Sequence, residues 1–210
     1  TATGKSGLAV KLAKKYNGEI ISADSRQVYR GMDIGTGKIT KKEMRGVPHY
    51  MLDVVSPKKV FSVAEWQKQT QKIISEIASR GKLPIICGGT GCYIQSIVDG
   101  IVLPKVPPNK LLRKMLGKNS LEDLQKILTK LDSRRFANID TKNPVRLIRA
   151  IEIATALGKV PTMARGTLGT KNNFEFLQIG LKIPDEELRN VIHIRLLARI
   201  RAGMIKAAKN

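Results

Sequence analysis

The sequence predicts an α/β fold: a parallel sheet with helices on both faces, carrying a small helical insertion. Three observations predict it. Short apolar runs of strand length alternate with amphipathic helical patterns, as in βα units that build a parallel sheet. The chain opens on a glycine turn that runs straight into a helix, Thr3-Gly4-Lys5-Ser6, and helix N-termini of this kind face the carboxyl edge of such sheets. From Pro104 to about Lys142 the texture changes to short basic helices with no strand pattern. The 210 residues suffice for one sizeable domain with a small appended one.

Each element follows from a local signal. Leu8, Ala9, Leu12, Ala13 and Tyr16 recur at helical spacing, and Asn17-Gly18 closes that helix. Glu19–Ala23 reads as a short buried strand, with Asp24 just past its C-terminal end. Gly31 to Gly46 is polar and glycine-rich and is expected to be loop. Ser62 and Glu65 form a capping box, with Phe61 and Trp66 at hydrophobic-staple positions. The helix they start carries Ile73, Ile74, Ile77 and Ala78 on one face and stops at Gly81. Leu83–Cys87 is the next buried strand and runs into Gly88-Gly89-Thr90-Gly91. Pro107-Pro108 opens the insertion, which holds a helix with Leu121, Leu124, Ile127, Leu128 and Leu131. Asn143-Pro144 starts a further helix in N-cap and first-turn order, ending at Gly158. Gly166 to Asn173 is expected to be a flexible loop and Phe176–Leu181 a late strand. Pro184-Asp185-Glu186-Glu187 starts the last helix, its acids in the first turn and Leu188, Ile192, Leu196, Ile200 and Met204 as its apolar stripe. The core is thus expected at residues 1–104 and 143–210, with the basic insertion at 105–142.

The charge balance restricts the partners. Lys and Arg number 38 against 17 Asp and Glu, a formal net charge of +21. Such an excess points to a polyanion, most often nucleic acid; a generally lysine-rich background gives the same number without a partner. Between Lys105 and Arg149 there are twelve basic and four acidic residues, a net of +8. Residues 189–210 carry six basic side chains and no acid, which fits a solvated helix face as well as an RNA-facing one. Aromatic residues make up 4%, which argues against a broad base-stacking platform. Cys87 and Cys92 match no zinc spacing and are expected to be free thiols in a reducing compartment. No apolar run is long enough to span a bilayer and no secretory signal is visible, so a cytoplasmic protein with no membrane partner is expected.

Thr1-Ala2-Thr3-Gly4-Lys5-Ser6 is the second half of the phosphate-loop pattern G-x-x-x-x-G-K-[ST]. The first glycine of that pattern falls two positions before Thr1. The chain is therefore expected to be incomplete: preceded by a short apolar strand ending in that glycine, and continuing past the basic helix at Lys209-Asn210. In such a loop successive backbone N–H groups curl around a diphosphate, Lys5 brings a mobile positive charge, and the Ser6 hydroxyl is a ligand for Mg²⁺. The dipole of the following helix favours the same anion. Asp24 is placed to accept a proton or hydrogen bond from an amino group, or to cap a turn, for which Asp is preferred anyway. Gln27 offers a donor and an acceptor together, as adenine recognition requires. Thr90 is short and follows two glycines, so either a substrate approaches closely there or the segment is a plain tight turn. Arg146 and Arg149 share a helix face, either holding RNA phosphates or pairing with Glu152. Arg113 is a second clamp for a diphosphate or simple surface charge.

Taken in order, Thr1–Ser6, Asp24–Gly37 (DSRQVYRGMDIGTG), Phe61–Glu65 followed by Trp66, Gly88–Tyr93 (GGTGCY) and Asn143–Glu152 (NPVRLIRAIE) resemble the tRNA dimethylallyltransferase family, also called tRNA isopentenyltransferase. The resemblance covers nearly the whole chain, and the DSRQVYRGMDIGT segment is far more specific than a phosphate loop. It implies a phosphate-loop fold in which Thr1, Ala2, Thr3, Gly4, Lys5 and Ser6 hold the diphosphate of dimethylallyl diphosphate, and a reaction that moves the dimethylallyl group to N6 of the adenine 3′-adjacent to the anticodon. It implies that Asp24 is the general base toward N6. Ser25, Arg26 and Gln27 would touch the tRNA around the target base. Thr90 and Arg113 match positions at the reacting centre or the diphosphate, and Val145, Arg146, Leu147, Ile148 and Arg149 match a stretch contacting tRNA. Mg²⁺ is the implied cofactor, at Ser6; the anticodon arm of tRNA and dimethylallyl diphosphate are the implied partners of a monomer. Three departures stand out: Cys92 replaces a larger aliphatic, His49-Tyr50 replaces two histidines, and the insertion is short.

Three rival readings share some of these features. A phosphate-loop nucleoside or small-molecule kinase would turn over ATP and leave the charge of +21 unexplained. A relative prenylating free adenine nucleotides would have no use for the basic insertion. A non-catalytic RNA-binding protein would have no use for Asp24 beside a phosphate loop.

Overall fold

The computed structural model describes residues 2–101, 103–161 and 174–209. The chain divides into two compact units. One is formed by Thr1–Ile101 with Gly169–Asn210, the other by Val102–Leu168.

The first unit is built on three parallel strands. Helix α1 (Lys5–Lys15) leads through Asn17, in the left-handed region at φ 50°, to strand β1 (Gly18–Ala23). The sheet order is β2-β1-β3, with β2 at His49–Tyr50 and β3 at Leu83–Gly88. β1 is central and buried along its length; its pleat sends alternate residues to opposite faces. Ile20 joins Ala9, Val10 and Ala13 of α1 and Val47 on one face. Ile21 and Ala23 join Trp66, Ile74 and Ile77 of α4 (Val63–Ser79) and Tyr93 and Ile97 of α5 (Gly91–Val98) on the other. Helices thus cover both faces, as expected. The Trp66 ring stacks on Tyr93 at 4.6 Å between centroids, and its Nε1–H donates to the Ser22 carbonyl at 3.0 Å. A large aromatic is buried there with its one polar atom satisfied. The Ser62–Glu65 capping box forms in full, and Gly81, at φ 68°, turns the chain out of α4.

Several sequence-based expectations are corrected. Gly31 to Gly46 is not all loop: it contains two one-turn helices, α2 (Asp33–Thr36) and α3 (Lys41–Met44). Thr40 and Glu43 cap α3 reciprocally, a T-x-x-E signal too short to carry apolar periodicity. β3 is half-exposed rather than buried, because it lies at an edge of the described sheet. Phe176–Leu181 forms no strand; Leu177 is 87% exposed, and a strand exists only where a partner ladder accepts it. The last helix, α10 (Asp185–Arg201), buries none of its expected stripe. Its apolar residues lie on several sides, with Ile192, Ile194, Leu196 and Leu197 all exposed. Gly203, at φ 95°, breaks the pattern, so Met204 starts α11 (Met204–Lys209). The expected loop Gly166 to Asn173 lies outside the described residues.

The second unit is helical: α6 (Lys110–Leu116), α7 (Leu121–Leu131), α8 (Ser133–Phe136) and α9 (Pro144–Leu157). Asn143 caps α9 through its side chain, with Pro144 in the first turn. Leu124 and Leu128 of α7 pack with Leu147, Ala150, Ile151 and Ala154 of α9. The unit is therefore wider than the expected 105–142, and α9 belongs to it rather than to the sheet. Asp132 locks one end: it accepts from the Arg135 and Val160 N–H groups at 2.9 and 2.8 Å.

Candidate active site

The carboxyl edge of the sheet holds a cleft of about 770 Å³ lined within the first unit by three segments the sequence singled out: Ala2–Ser6, Asp24–Gln27 and Gly88–Thr90. Parallel strands place them there. β1 ends at Ala23 and delivers Asp24; β3 ends at Gly88 and delivers Thr90. Gly88 is required by close approach, since a Cβ on it would lie 2.1 Å from the Ala23 carbonyl oxygen.

The loop before α1 curls through two left-handed residues, Ala2 at φ 65° and Gly4 at φ 79°. Alternation of this kind turns backbone N–H groups toward a common concavity that accepts anions. Gly4 is also the N-cap of α1 and supplies no side-chain cap, which leaves the first N–H groups of the helix unsatisfied by it. Lys5 Nζ donates to Thr3 Oγ1 at 3.0 Å, holding the ammonium over its own loop. Thr1 lies outside the described residues. Ser6 is exposed on the cleft. Among the described residues no group of three or more His, Cys, Asp or Glu could hold a metal. The donor set fits Mg²⁺ in one manner: a single hydroxyl oxygen completed by phosphate oxygens and water, which is how this ion is commonly held with phosphorylated substrates.

Of the two roles the sequence left open for Asp24, the structure shows the turn cap directly. Its Oδ1 accepts from the N–H groups of Arg26 at 2.8 Å and Gln27 at 3.3 Å, which closes the turn after β1. Its Oδ2 accepts from Gln27 Nε2 at 3.2 Å. Gln27 Oε1 in turn accepts from the Ile39 N–H at 3.4 Å. The Gln27 amide therefore orients Asp24 and ties it to the next segment, using groups that adenine reading would also need. Thr90 fixes the turn from the other side. Its Oγ1 accepts from the Ser25 N–H at 3.0 Å, and its own N–H donates to Ala23 O at 3.1 Å. Cys87 also lines the cleft; burial pushes its thiol up, opposed by Lys5 and Ser6, and both cysteines are free.

Arg113 and Val145–Arg149 lie in the second unit. Arg113 forks onto the buried Glu152, Nε to Oε1 at 3.0 Å and Nη2 to Oε2 at 2.8 Å. Arg149 also binds Glu152, and donates to the Val106 carbonyl at 2.8 Å. Burial pushes the Glu152 carboxyl up, but Arg113, the Asn109 N–H and Arg149 outweigh it and hold it at about 2. Arg149 thus takes the Glu152 alternative. Leu147 is 0% exposed in the helical core, so its side chain offers nothing to an RNA. Val145 and Arg146 are exposed, and Arg146 reaches Asp140 at only 3.5 Å.

Sequence reading gave no cleft role to Gly35–Gly37, which it quoted only as part of a family-like segment, to His49, which it noted only as a departure, or to Arg195 and Arg199, which it read only within a basic run fitting a solvated or an RNA-facing helix face; all line the cleft. The two arginines are four apart in the acid-free run 189–210, a spacing that puts them on one helix face.

These features define a phosphate-loop α/β protein with its cleft at the carboxyl edge of a parallel sheet. A family model described as IPP transferase matches residues 27–210. The chain is 43% identical over 210 residues to tRNA dimethylallyltransferase 2 of Treponema denticola, covering 100% of this chain and 70% of that protein. It is 41% identical to the tRNA dimethylallyltransferase of Anoxybacillus flavithermus, covering 100% and 67%. Among solved structures it resembles the tRNA isopentenylpyrophosphate transferase of Bacillus halodurans, with TM-score 0.67, 37% identity, and coverage of 100% of this chain and 66% of that one. A eukaryotic dimethylallyltransferase acting on tRNA shares the fold, with TM-score 0.79 over 98% of this chain and 52% of that one, at 24% identity. The chain belongs to the tRNA dimethylallyltransferase family of transferases, and spans about two thirds of the length of its bacterial relatives.

Proposed function

We propose that the protein transfers the dimethylallyl group of dimethylallyl diphosphate to N6 of the adenine 3′-adjacent to the anticodon in tRNA, as a cytoplasmic monomer. One observation carries the reading beyond family membership: an oriented carboxylate, Asp24, lines the same cleft as an anion-binding loop. The diphosphate sits on the Ala2–Ser6 backbone and Lys5. The allylic C–O bond breaks, a bond from N6 to that carbon forms, and the N6 proton passes to Asp24. Negative charge grows on the departing diphosphate, where preorganised N–H donors and the Lys5 ammonium act most strongly. The Ser6 hydroxyl would hold Mg²⁺, which when bound would supply further positive charge to the leaving group. Thr90 and Gln27 hold the Asp24 turn, so that its Oδ2 meets the incoming amine without reorganisation. Proton transfer to a positioned carboxylate contributes about 10²–10⁴-fold. The adenine must leave its stack, at a cost of a few kcal/mol, which basic surface on the anticodon arm offsets.

The test is transfer from labelled dimethylallyl diphosphate, with Mg²⁺, offering either tRNA or AMP. Label in tRNA is expected. Label in AMP alone would reassign the acceptor, and ATP turnover without prenyl transfer would make the protein a kinase.

A further inference from the structure

Helix α10 carries Arg195 and Arg199 onto the wall of the cleft, and the two arginines differ in what surrounds them. Arg195 lies within electrostatic reach of Glu43, whose carboxyl is lowered first by the Thr40 backbone and, less, by Arg195. Arg199 forms no ion pair among the described residues. It is half-buried, and its guanidinium lies against Gly37, where an added Cβ would fall 1.8 Å from Nη2. Gly37 is left-handed at φ 60° and ends α2. The next residue, Lys38, shows what neutralised charge looks like here: its side chain is 6% exposed, and its ammonium is bonded to Asp33 at 2.6 Å, to Tyr29 O at 2.8 Å and to Asp53. That bonding braces the wall under Arg199. A half-buried guanidinium with no carboxylate keeps its donors for a ligand, and a planar fork of N–H groups suits a phosphate.

The wall on which Arg199 rests belongs to the acceptor side. Ile39, two residues after Gly37, donates its N–H to Gln27 Oε1, and Gln27 Nε2 donates to Asp24. The diphosphate has its own donors in the loop before α1. We propose that Arg199 binds an RNA phosphodiester oxygen next to the acceptor nucleotide, and so fixes the backbone from which the target base is turned out. The proposal rests on the reading of the protein as a tRNA prenyltransferase.

Arg199→Met keeps a long chain over Gly37 and removes the charge; Arg199→Lys keeps the charge and removes the fork. Arg199→Met is expected to weaken tRNA binding about ten- to a hundredfold at low salt, as for loss of one charge-assisted bond, and to make the salt slope of log K shallower by about one. Arg199→Lys should restore the slope and only part of the affinity. KM for dimethylallyl diphosphate should stay near wild type, whereas KM for tRNA should rise. Unchanged tRNA affinity and slope in Arg199→Met would make Arg199 a packing residue on Gly37 and overturn the proposal. A rise in KM for the diphosphate alone would overturn it too. Binding is read without the donor, so a wild type that binds tRNA through Arg199 yet transfers no prenyl group would sink the proposed reaction and leave this contact standing.

Discussion

Asp24 Oδ1 is occupied by two backbone N–H groups of its own turn, whereas Oδ2, among the described residues, meets only the Gln27 amide. A base and a turn cap can therefore be separated by substitution. Asp24→Asn keeps an oxygen for the turn and removes the base. It should lower kcat by about 10²–10⁴-fold at saturating tRNA, with KM for tRNA and the melting temperature close to wild type. Asp24→Ala removes both and should also lose about 1 kcal/mol of stability, the usual cost of a lost cap, read by denaturant titration. Full kcat in Asp24→Asn would leave the residue as a cap alone. The sequence put Asp24, Thr90 and the loop before α1 at one edge because strand ends are legible. It did not show Gln27 spent on Asp24, because that depends on side chains meeting across the turn.

At the scale of elements, β1 is held from both sides and at its start. Glu19 is 3% exposed and accepts from Tyr50 at 2.7 Å, Arg80 at 2.6 Å and Lys82 at 2.6 Å, joining β1 to β2, the end of α4 and the start of β3. Burial pushes this carboxyl up, yet the bonds from Lys82, Tyr50 and Arg80 outweigh it and bring it from 4.5 to about 2. A depressed folded value means stability fully present above about pH 4.5 and lost as pH falls toward 2. Glu19→Gln should flatten that acid limb of the stability curve of the sheet unit and lower its stability at pH 7. An unaltered limb would show that Glu19 is not what acid attacks. At the other end of the strands, Gly88→Ala would press a methyl on the Ala23 carbonyl. Since both partners are backbone, overpacking should cost about 1–3 kcal/mol, seen in the denaturant midpoint, with activity falling as the Asp24 and Thr90 turns shift. Long elements with their own caps, α4 and α9, were legible from sequence. β2, two residues long, and the unpaired Phe176–Leu181 were not, since pairing decides both.

At the scale of the molecule, the net charge of +21 is divided between charge spent on structure and charge left for a polyanion. Sequence shows the total; only the fold shows the division. Arg146 and Arg149 read alike in sequence, three apart on α9. In the structure Arg149 is locked between Glu152 and the Val106 carbonyl, whereas the Arg146 side chain is 63% exposed and loosely near Asp140. The two should therefore fail differently. Arg146→Met should leave the fold intact and lower the slope of log K for tRNA against log salt by about one, if it meets one phosphate. Arg149→Met should leave Glu152 short of a donor in the helical core, costing about 1–3 kcal/mol in thermal or denaturant unfolding of that unit, with the salt slope near wild type. Dimethylallyl diphosphate binding should respond to neither, because a local preformed loop is less screened than a contact spread over surface lysines and arginines. A salt slope that drops in Arg149→Met and not in Arg146→Met would reverse the assignment, placing RNA on the guanidinium that the fold ties to Glu152.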